Sequence, residues 1–173
     1  MKLPKDCLVE LACSVKQNLP TMEEPHLDIE KGLGNVVSTN GHIISVVPVE
    51  LGEGDVAGPI PIAALKGARK LAKREDNITL DCSDAEKVTI SDGRTFPRIT
   101  IQYPNWRQVI PSKDLGVTAS ICIDANLLAK LAKSLGTKAV KIETMKDSLG
   151  LRVTPQTTKR AVRHGVIMSI RST

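Results

Sequence analysis

Aromatic residues are nearly missing from this 173-residue chain: Phe96, Tyr103 and Trp106 are the whole set. That excludes a platform of aromatic rings for stacking bases, and it leaves Leu, Ile, Val and Ala to build the core. Histidine is scarce, with three residues, and the four cysteines (Cys7, Cys13, Cys82 and Cys122) form no CxxC pair. This inventory excludes a zinc-finger ligand set, and no metal or other cofactor is expected. The thiols are expected to be reduced and mostly buried, as in a cytoplasmic protein; Cys82 and Cys122 fall in strand-like patterns. No apolar run reaches membrane-spanning length, so no membrane partner is expected. The opening MKLPKDCLVELACSVKQ is too short and too polar for a signal peptide. Walker sequences and dinucleotide fingerprints are absent as well.

What the chain does have is a repeat. A segment rich in Leu, Ala and Lys, read as a helix, is followed by short alternating strands, three times at intervals of roughly sixty residues. The helices start near Lys5, Ile62 and Asp124, and the strands after them near His26, Asn77 and Lys138. The class is α+β, with each repeat ordered strand–helix–strand–strand–strand.

Lys5 to Gln17 is predicted as an amphipathic helix with Leu8, Leu11, Ala12 and Val15 on one face, stopped at Asn18-Leu-Pro20. Leu27 and Ile29 mark a strand, Lys31 to Gly34 a turn, and Asn40-Gly41 a hairpin between Val36–Ser38 and Ile43–Val49. In the second repeat, Pro59 to Ile62 reads as an edge segment and Ala63 to Arg74 as a helix. Strands follow at Ile78–Cys82 and Val88–Ile90, a turn at Ser91–Arg94 and a further alternating stretch at Arg98–Gln102. In the third, Ser120–Ile123 reads as a strand, Asp124 as a helix N-cap and Gly136 as the residue closing the helix. Strands are then expected around Val140 and Ile142, from Leu149 to Val153, and from Val166 to Ile170.

The net charge of +5 permits a polyanionic partner without demanding one. At about 100° per residue, Lys66, Lys70 and Lys73 share one side of the middle helix, opposite Leu65, Ala68 and Ala72. The third helix places Lys130 and Lys133 outside and Leu127, Leu128, Leu131 and Leu135 inside. Two readings stay open: a solvated face, or a surface that follows the DNA backbone by charge and reads no bases.

Catalytic readings are weak. Asp28 and Glu30 face one side of a strand, and Asp81 and Asp84 lie near a turn, but neither pair has a recognisable acid–base or metal-ligand arrangement. His42 follows a turn and has no evident nucleophile, and nothing places Cys122 beside His164. The chain is not expected to be an enzyme.

Three segments carry a family resemblance. Val37-Ser-Thr-Asn-Gly-His-Ile-Ile44 resembles the ATDGHRLA segment of the bacterial DNA polymerase III beta subunit, the sliding clamp or processivity factor. Tyr103-Pro-Asn-Trp-Arg-Gln-Val-Ile-Pro111 resembles that family's FPDYRRVIP segment, and Val166-Ile-Met-Ser-Ile-Arg171 its terminal VMPMR. Gln108 stands where the family often has arginine, and Ser169 where it has proline.

The resemblance implies the DNA clamp fold in a shortened form. Residues 1–112 are expected to match a complete middle domain, and residues 113–173 the second half of the last domain. It implies a processivity factor in DNA replication that encircles duplex DNA, without sequence preference, and holds peptide motifs of a replicative polymerase or clamp loader. The peptide positions would be Thr39, Gly41, His42, Ile44, Pro104, Gln108, Val109, Val166 and Met168; the DNA contacts would be Lys66, Lys70, Lys73, Lys130 and Lys133. Period-two alternation alone leaves open whether Val166 and Met168 face a core or a groove. The family's rings hold twelve repeats, so a homo-oligomer is expected, four copies completing the count. The alternatives are a non-ring, clamp-like protein that competes for or redirects clamp partners, and a regulator that binds linear DNA directly.

Overall fold

Leu27 and Ile29 alternate with His26, Asp28 and Glu30, and this two-residue period forms a strand with one apolar and one polar face. The same rule builds most of the molecule. The computed structural model describes residues 1–14, 20–110, 120–144, 150–156 and 165–169. The chain divides into two compact units, Met1–Val109 and Ile110–Thr173.

The first unit contains two repeats. One comprises β1 (Lys2–Pro4), a 3-10 turn (Val9–Ala12), β2 (His26–Glu30), β3 (Leu33–Thr39) and β4 (Ile44–Val49). The other comprises β5 (Gly58–Pro59), α1 (Ile62–Leu71), β6 (Asn77–Asp81), β7 (Lys87–Ile90) and β8 (Thr95–Pro97). Two antiparallel sheets result, ordered β4-β3-β2-β5 and β1-β6-β7-β8. Each repeat lends its leading strand to the other's sheet: Leu3 lies opposite Ile78, and Gly58 opposite Leu27. One core therefore draws on both repeats, with Leu3, Val9, Leu27 and Val36 packed among Ile60, Leu65, Ile78, Leu80 and Val88. Full burial of each Leu or Ile there contributes roughly 1.5–3 kcal/mol.

The second unit contains α2 (Ala125–Ser134) and the antiparallel sheet β11-β10-β9, formed by β9 (Val140–Thr144), β10 (Gly150–Pro155) and β11 (Gly165–Met168). Asp124 caps α2 by accepting the Asn126 N–H at 2.7 Å, as its side chain predicts. Gly136, at φ 67°, ends it: its N–H donates to the Lys133 carbonyl and the Thr137 N–H to the Ala132 carbonyl, both at 3.0 Å. Among the described residues the buried core here is Leu151, Val153 and Ile167, with Leu128 and Leu131 of α2 and the C-capping Leu135 against it.

Four expectations are corrected. The predicted helix over Lys5–Gln17 is a single 3-10 turn within the described residues, with Leu8 and Leu11 exposed and Val9, Ala12 and Cys13 buried. The reason is long-range: Ser38 Oγ donates to the Val9 carbonyl at 2.6 Å, an acceptor that an α-helix would use for the Cys13 N–H. Arg98–Gln102 forms no strand, because β7 offers no partner beyond the Lys87–Pro97 pair. Ser120–Ile123 forms none either, and Cys122 is exposed, not buried. Leu127 is exposed although its spacing places it with the other helix leucines. Burial pushes the Cys13 thiol up to about 12 and the Cys82 thiol to about 11, so both stay protonated at neutral pH.

The polar face of β2 holds a later part of the chain in place. The His26 ring stacks on Tyr103, centroids 4.7 Å apart, and the Tyr103 hydroxyl donates to the Val37 carbonyl at 3.2 Å. Arg107 donates to Asp28 Oδ1 at 3.1 Å and lies 2.8 Å from Glu30 Oε2. The two carboxylates that sequence leaves without a role are thus a clamp for one guanidinium.

Burial holds the His26 imidazole below its ordinary pKa of 6.5, against an opposing pull from Asp28, and its Nδ1 has no hydrogen-bond partner among the described residues. A folded-state pKa below the unfolded value means that the unfolded chain takes up the proton more readily. Stability from this site is therefore complete above about pH 6.5 and is lost as pH falls from there toward the folded-state value. Urea unfolding followed from about pH 7 to about pH 5 should show this decline, and His26→Phe, which keeps a stacking ring and cannot be protonated, should flatten it.

Candidate functional site

The loop after β3 is fixed by its own side chains. Asn40 Oδ1 accepts the N–H groups of His42 (2.9 Å) and Ile43 (3.1 Å). Thr39 Oγ1 accepts the Gly41 N–H at 3.1 Å and donates to the Ile43 carbonyl at 2.6 Å. Gly41 sits at φ 84°, a conformation that strains any residue with a Cβ. These bonds turn the chain into β4, where Ile44 pairs with Thr39.

Facing this loop is a 3-10 turn, Trp106–Val109, preceded by Pro104 and Asn105. The His26–Tyr103 stack and the Arg107–Asp28 pair fix its position from either side. A cavity of about 450 Å³ lies between loop and turn. It is lined by Thr39, Gly41, His42, Ile44, Pro104 and Val109 of the predicted peptide positions, together with Met22, Ile43, Asn105 and Trp106. Two segments far apart in sequence thus meet in one pocket, inside the first unit. Its size is in the range of small-ligand pockets, and aliphatic walls with a few polar rim groups suit an extended peptide with apolar anchors. The Trp106 Nε1 is buried without a hydrogen-bond partner among the described residues, and the Arg107 guanidinium lies 4.5 Å from the centroid of the indole ring.

The remaining predicted peptide positions lie elsewhere. Gln108 is exposed on the 3-10 turn and does not line the cavity. Val166 and Met168 belong to the second unit, on the exposed face of β11, while Ile167 between them is buried. Their alternation therefore resolves away from that unit's core. Of the residues the sequence reading missed, Trp106 and Ile43 lie inside the matching segments, where their size was the available signal. Met22 comes from a 3-10 turn, Pro20–Met22, that no periodicity marks.

Lys66 and Lys70 project from the exposed side of α1, and Lys73 follows two residues after its end; Ala64, Leu65 and Ala68 fill the opposite side. Lys130 and Lys133 are exposed on α2. None of the five forms an ion pair among the described residues. The first repeat does not share this pattern. Its 3-10 turn carries Glu10, whose carboxylate accepts from Arg69 of α1 and so ties the two repeats together. Asp81 is capped by the Ser83 hydroxyl, which with the Ser83 N–H holds its carboxyl below the usual carboxylate range. His164, the suggested partner of Cys122, lies outside the described residues. Among the described residues, no helix is long and apolar enough to cross a membrane.

No protein-family model matches the sequence, and no curated protein does. Solved structures do. The sliding clamp of Bartonella birtlesii, solved bound to griselimycin, superposes with a TM-score of 0.73 at 15% identity, over 100% of this chain and 51% of the clamp. The Caulobacter crescentus clamp gives 0.70 at 18% identity, over 98% of this chain and 50% of the clamp. That of Bacillus subtilis gives 0.67 at 14% identity, over 98% and 48%. The chain spans about half the length of the structures it matches, and over that length it has the fold of the bacterial DNA polymerase III beta sliding clamps.

Proposed function

We propose that this protein is a sliding-clamp-like processivity factor, soluble in the cytoplasm, that encircles duplex DNA as an oligomer and tethers a DNA polymerase through the pocket beside Ile44. The observation that carries this reading is the meeting of Thr39–Ile44 and Pro104–Val109 around one apolar cavity, on a clamp fold. Residues 1–112 would act as the middle domain of a clamp and residues 113–173 as the second half of its last domain. Four copies, each with three repeats, would complete a ring of twelve. Val166 and Met168 of the second unit, and Gln108 of the first, would make peptide contacts outside this cavity. The ring holds DNA by topology, so weak contacts from Lys66, Lys70, Lys73, Lys130 and Lys133 to phosphates would centre the duplex and still permit sliding.

A second reading is favoured by one observation: the cavity lies wholly within the first unit and needs no ring. A non-ring protein of this kind would compete for clamp partners or redirect them. Retention on circular, but not linear, duplex DNA distinguishes the two, since only an encircling protein slides off free ends.

Trp106 is the single tryptophan of the chain and lines the pocket, so its fluorescence reports occupancy directly. A short polymerase-tail peptide with apolar anchors should shift that emission saturably. Ile44→Asp, which places a carboxylate against apolar walls, should weaken binding about tenfold or more, equivalent to about 1.4 kcal/mol. An unchanged titration would remove the pocket from the peptide reading.

DNA contact has its own test. Reversing Lys66 and Lys70 to Glu should weaken DNA binding and make the slope of log affinity against log salt shallower by about two. If neither the affinity nor the slope moves, these lysines are a solvated face.

A further inference from the structure

In the first unit, two repeats complete one another by exchanging leading strands, β1 onto β6 and β5 onto β2. The third repeat has the parts for such an exchange, and among the described residues its unit holds no second repeat. Its helix matches α1 in length, 10 residues each. Each helix follows a short lead into its N-cap: Gly58-Pro-Ile60 before Pro61, and Ile121-Cys-Ile123 before Asp124. After the helices, Ile78 and Leu80 on β6 correspond to Val140 and Ile142 on β9, the alternate residues on the helix-facing side.

Burial shows what the third repeat lacks. Leu80 is 1% exposed and Ala64 of α1 is 0%, whereas their counterparts Ile142 and Leu127 are 38% and 51% exposed. In the first unit, the neighbouring repeat covers these positions; the Leu80 N–H, for example, donates to the Met1 carbonyl at 3.0 Å. β9 is the edge strand of its sheet, and among the described residues nothing pairs with its outer side. Ser120–Ile123, the segment whose counterparts pair across the repeats, is in no strand, with Ile121 and Cys122 exposed.

We infer that Ile121–Ile123 of one copy adds as a strand to the free edge of β9 in a second copy, and reciprocally, so that two chains build one complete clamp-type unit. The occupant must bring both an apolar leading strand and a free edge of the same register, and the third repeat offers both on one surface. Such a self-complementary pairing closes as a dimer with two-fold symmetry. The register follows from the first unit, where Gly58, three residues before the N-cap, faces Leu27, the first core residue of its strand. Ile121 then faces the partner's Val140 toward the core. Cys122 faces the partner's Ala139 on the outer side, and Ser120 faces the partner's Lys141, so no like charges oppose. The same strand addition brings apolar surface of the partner over Ile142 and Leu127. This association requires neither DNA nor peptide, and it can hold where the proposed function fails; a crosslink between position 139 and Cys122 tests it alone.

The register gives a direct test with the full chain. Directly opposed residues of an antiparallel pair have Cα atoms about 4.5–5.5 Å apart, within disulfide range. Ala139→Cys, at an exposed position, should form a disulfide-linked dimer with native Cys122 on mild oxidation. The link should vanish when Cys122→Ser is added and be absent from the unmodified protein, whose two Cys122 residues lie on opposite edges of the joint unit. Light scattering should give an even multiple of the chain mass, which Ile121→Asp should lower. The inference is overturned by a monomer at micromolar concentration. An Ala139→Cys variant that never crosslinks through Cys122, or an oligomer whose mass Ile121→Asp leaves unchanged, overturns it as well.

Discussion

The first unit depends on β2 serving two surfaces at once. Its apolar side, Leu27 and Ile29, packs into the core shared by both repeats, and its edges pair with β3 and β5. Its polar side, His26, Asp28 and Glu30, grips Tyr103 and Arg107 from a segment nearly eighty residues away. Exposed ion pairs contribute little by themselves, about 0–1 kcal/mol. Here one guanidinium meets two carboxylates beside a ring stack and a hydroxyl bond, so several modest contacts fix one turn. Without that turn, the loop at Asn40–Ile43 would have nothing opposite it and the pocket would be an open surface.

Local chemistry made much of this legible. Alternation located β2, β4, β6, β7 and β10 to within a residue or two, because a strand with one buried face writes its period into the sequence, whereas β3 begins at Leu33, inside the stretch expected to be a turn, and is buried on both faces from Val36 to Thr39. Asp124 and Gly136 marked the ends of α2, since capping is decided within a turn of the residue that performs it. Long-range decisions were not legible. The Ser38 hydroxyl that takes the Val9 carbonyl is twenty-nine residues away, and it turns an amphipathic pattern into a single 3-10 turn. Arg107 finds Asp28 through tertiary packing, so spacing could not pair them. Met22 enters the cavity from a segment without a period, whereas the family-like segments supply all the rest of its lining, including Ile43, Asn105 and Trp106, which were not among the expected peptide positions.

The three repeats differ where their surroundings differ. Among its described residues the first has a 3-10 turn in place of a lysine-bearing helix, and its Glu10 is committed to Arg69, so that turn serves to join two repeats. The second carries Lys66 and Lys70 on a helix whose other side is wholly buried. The third keeps the basic helix with less cover beneath it. Duplication thus supplied a common frame, while specific polar contacts set which copies are joints and which present charge.

Core size gives the third repeat its particular constraint. The first unit's core counts Leu3, Leu27, Ile60, Leu65, Ile78 and Leu80 among its fully buried side chains; the second unit's buried core is Leu151, Val153 and Ile167. Domains on the order of sixty residues are marginal, and shorter ones commonly rely on disulfides, metals or association. Cys122 is a free thiol, and the proposed pairing would supply association. A second copy brings what is missing in kind as well as in amount: a strand for an open edge and apolar cover for Ile142 and Leu127. On the proposed pairing, the assembly that a clamp function would require would begin with the completion of this core. Any DNA-encircling activity would then be built on contacts the chain already needs in order to complete its own core.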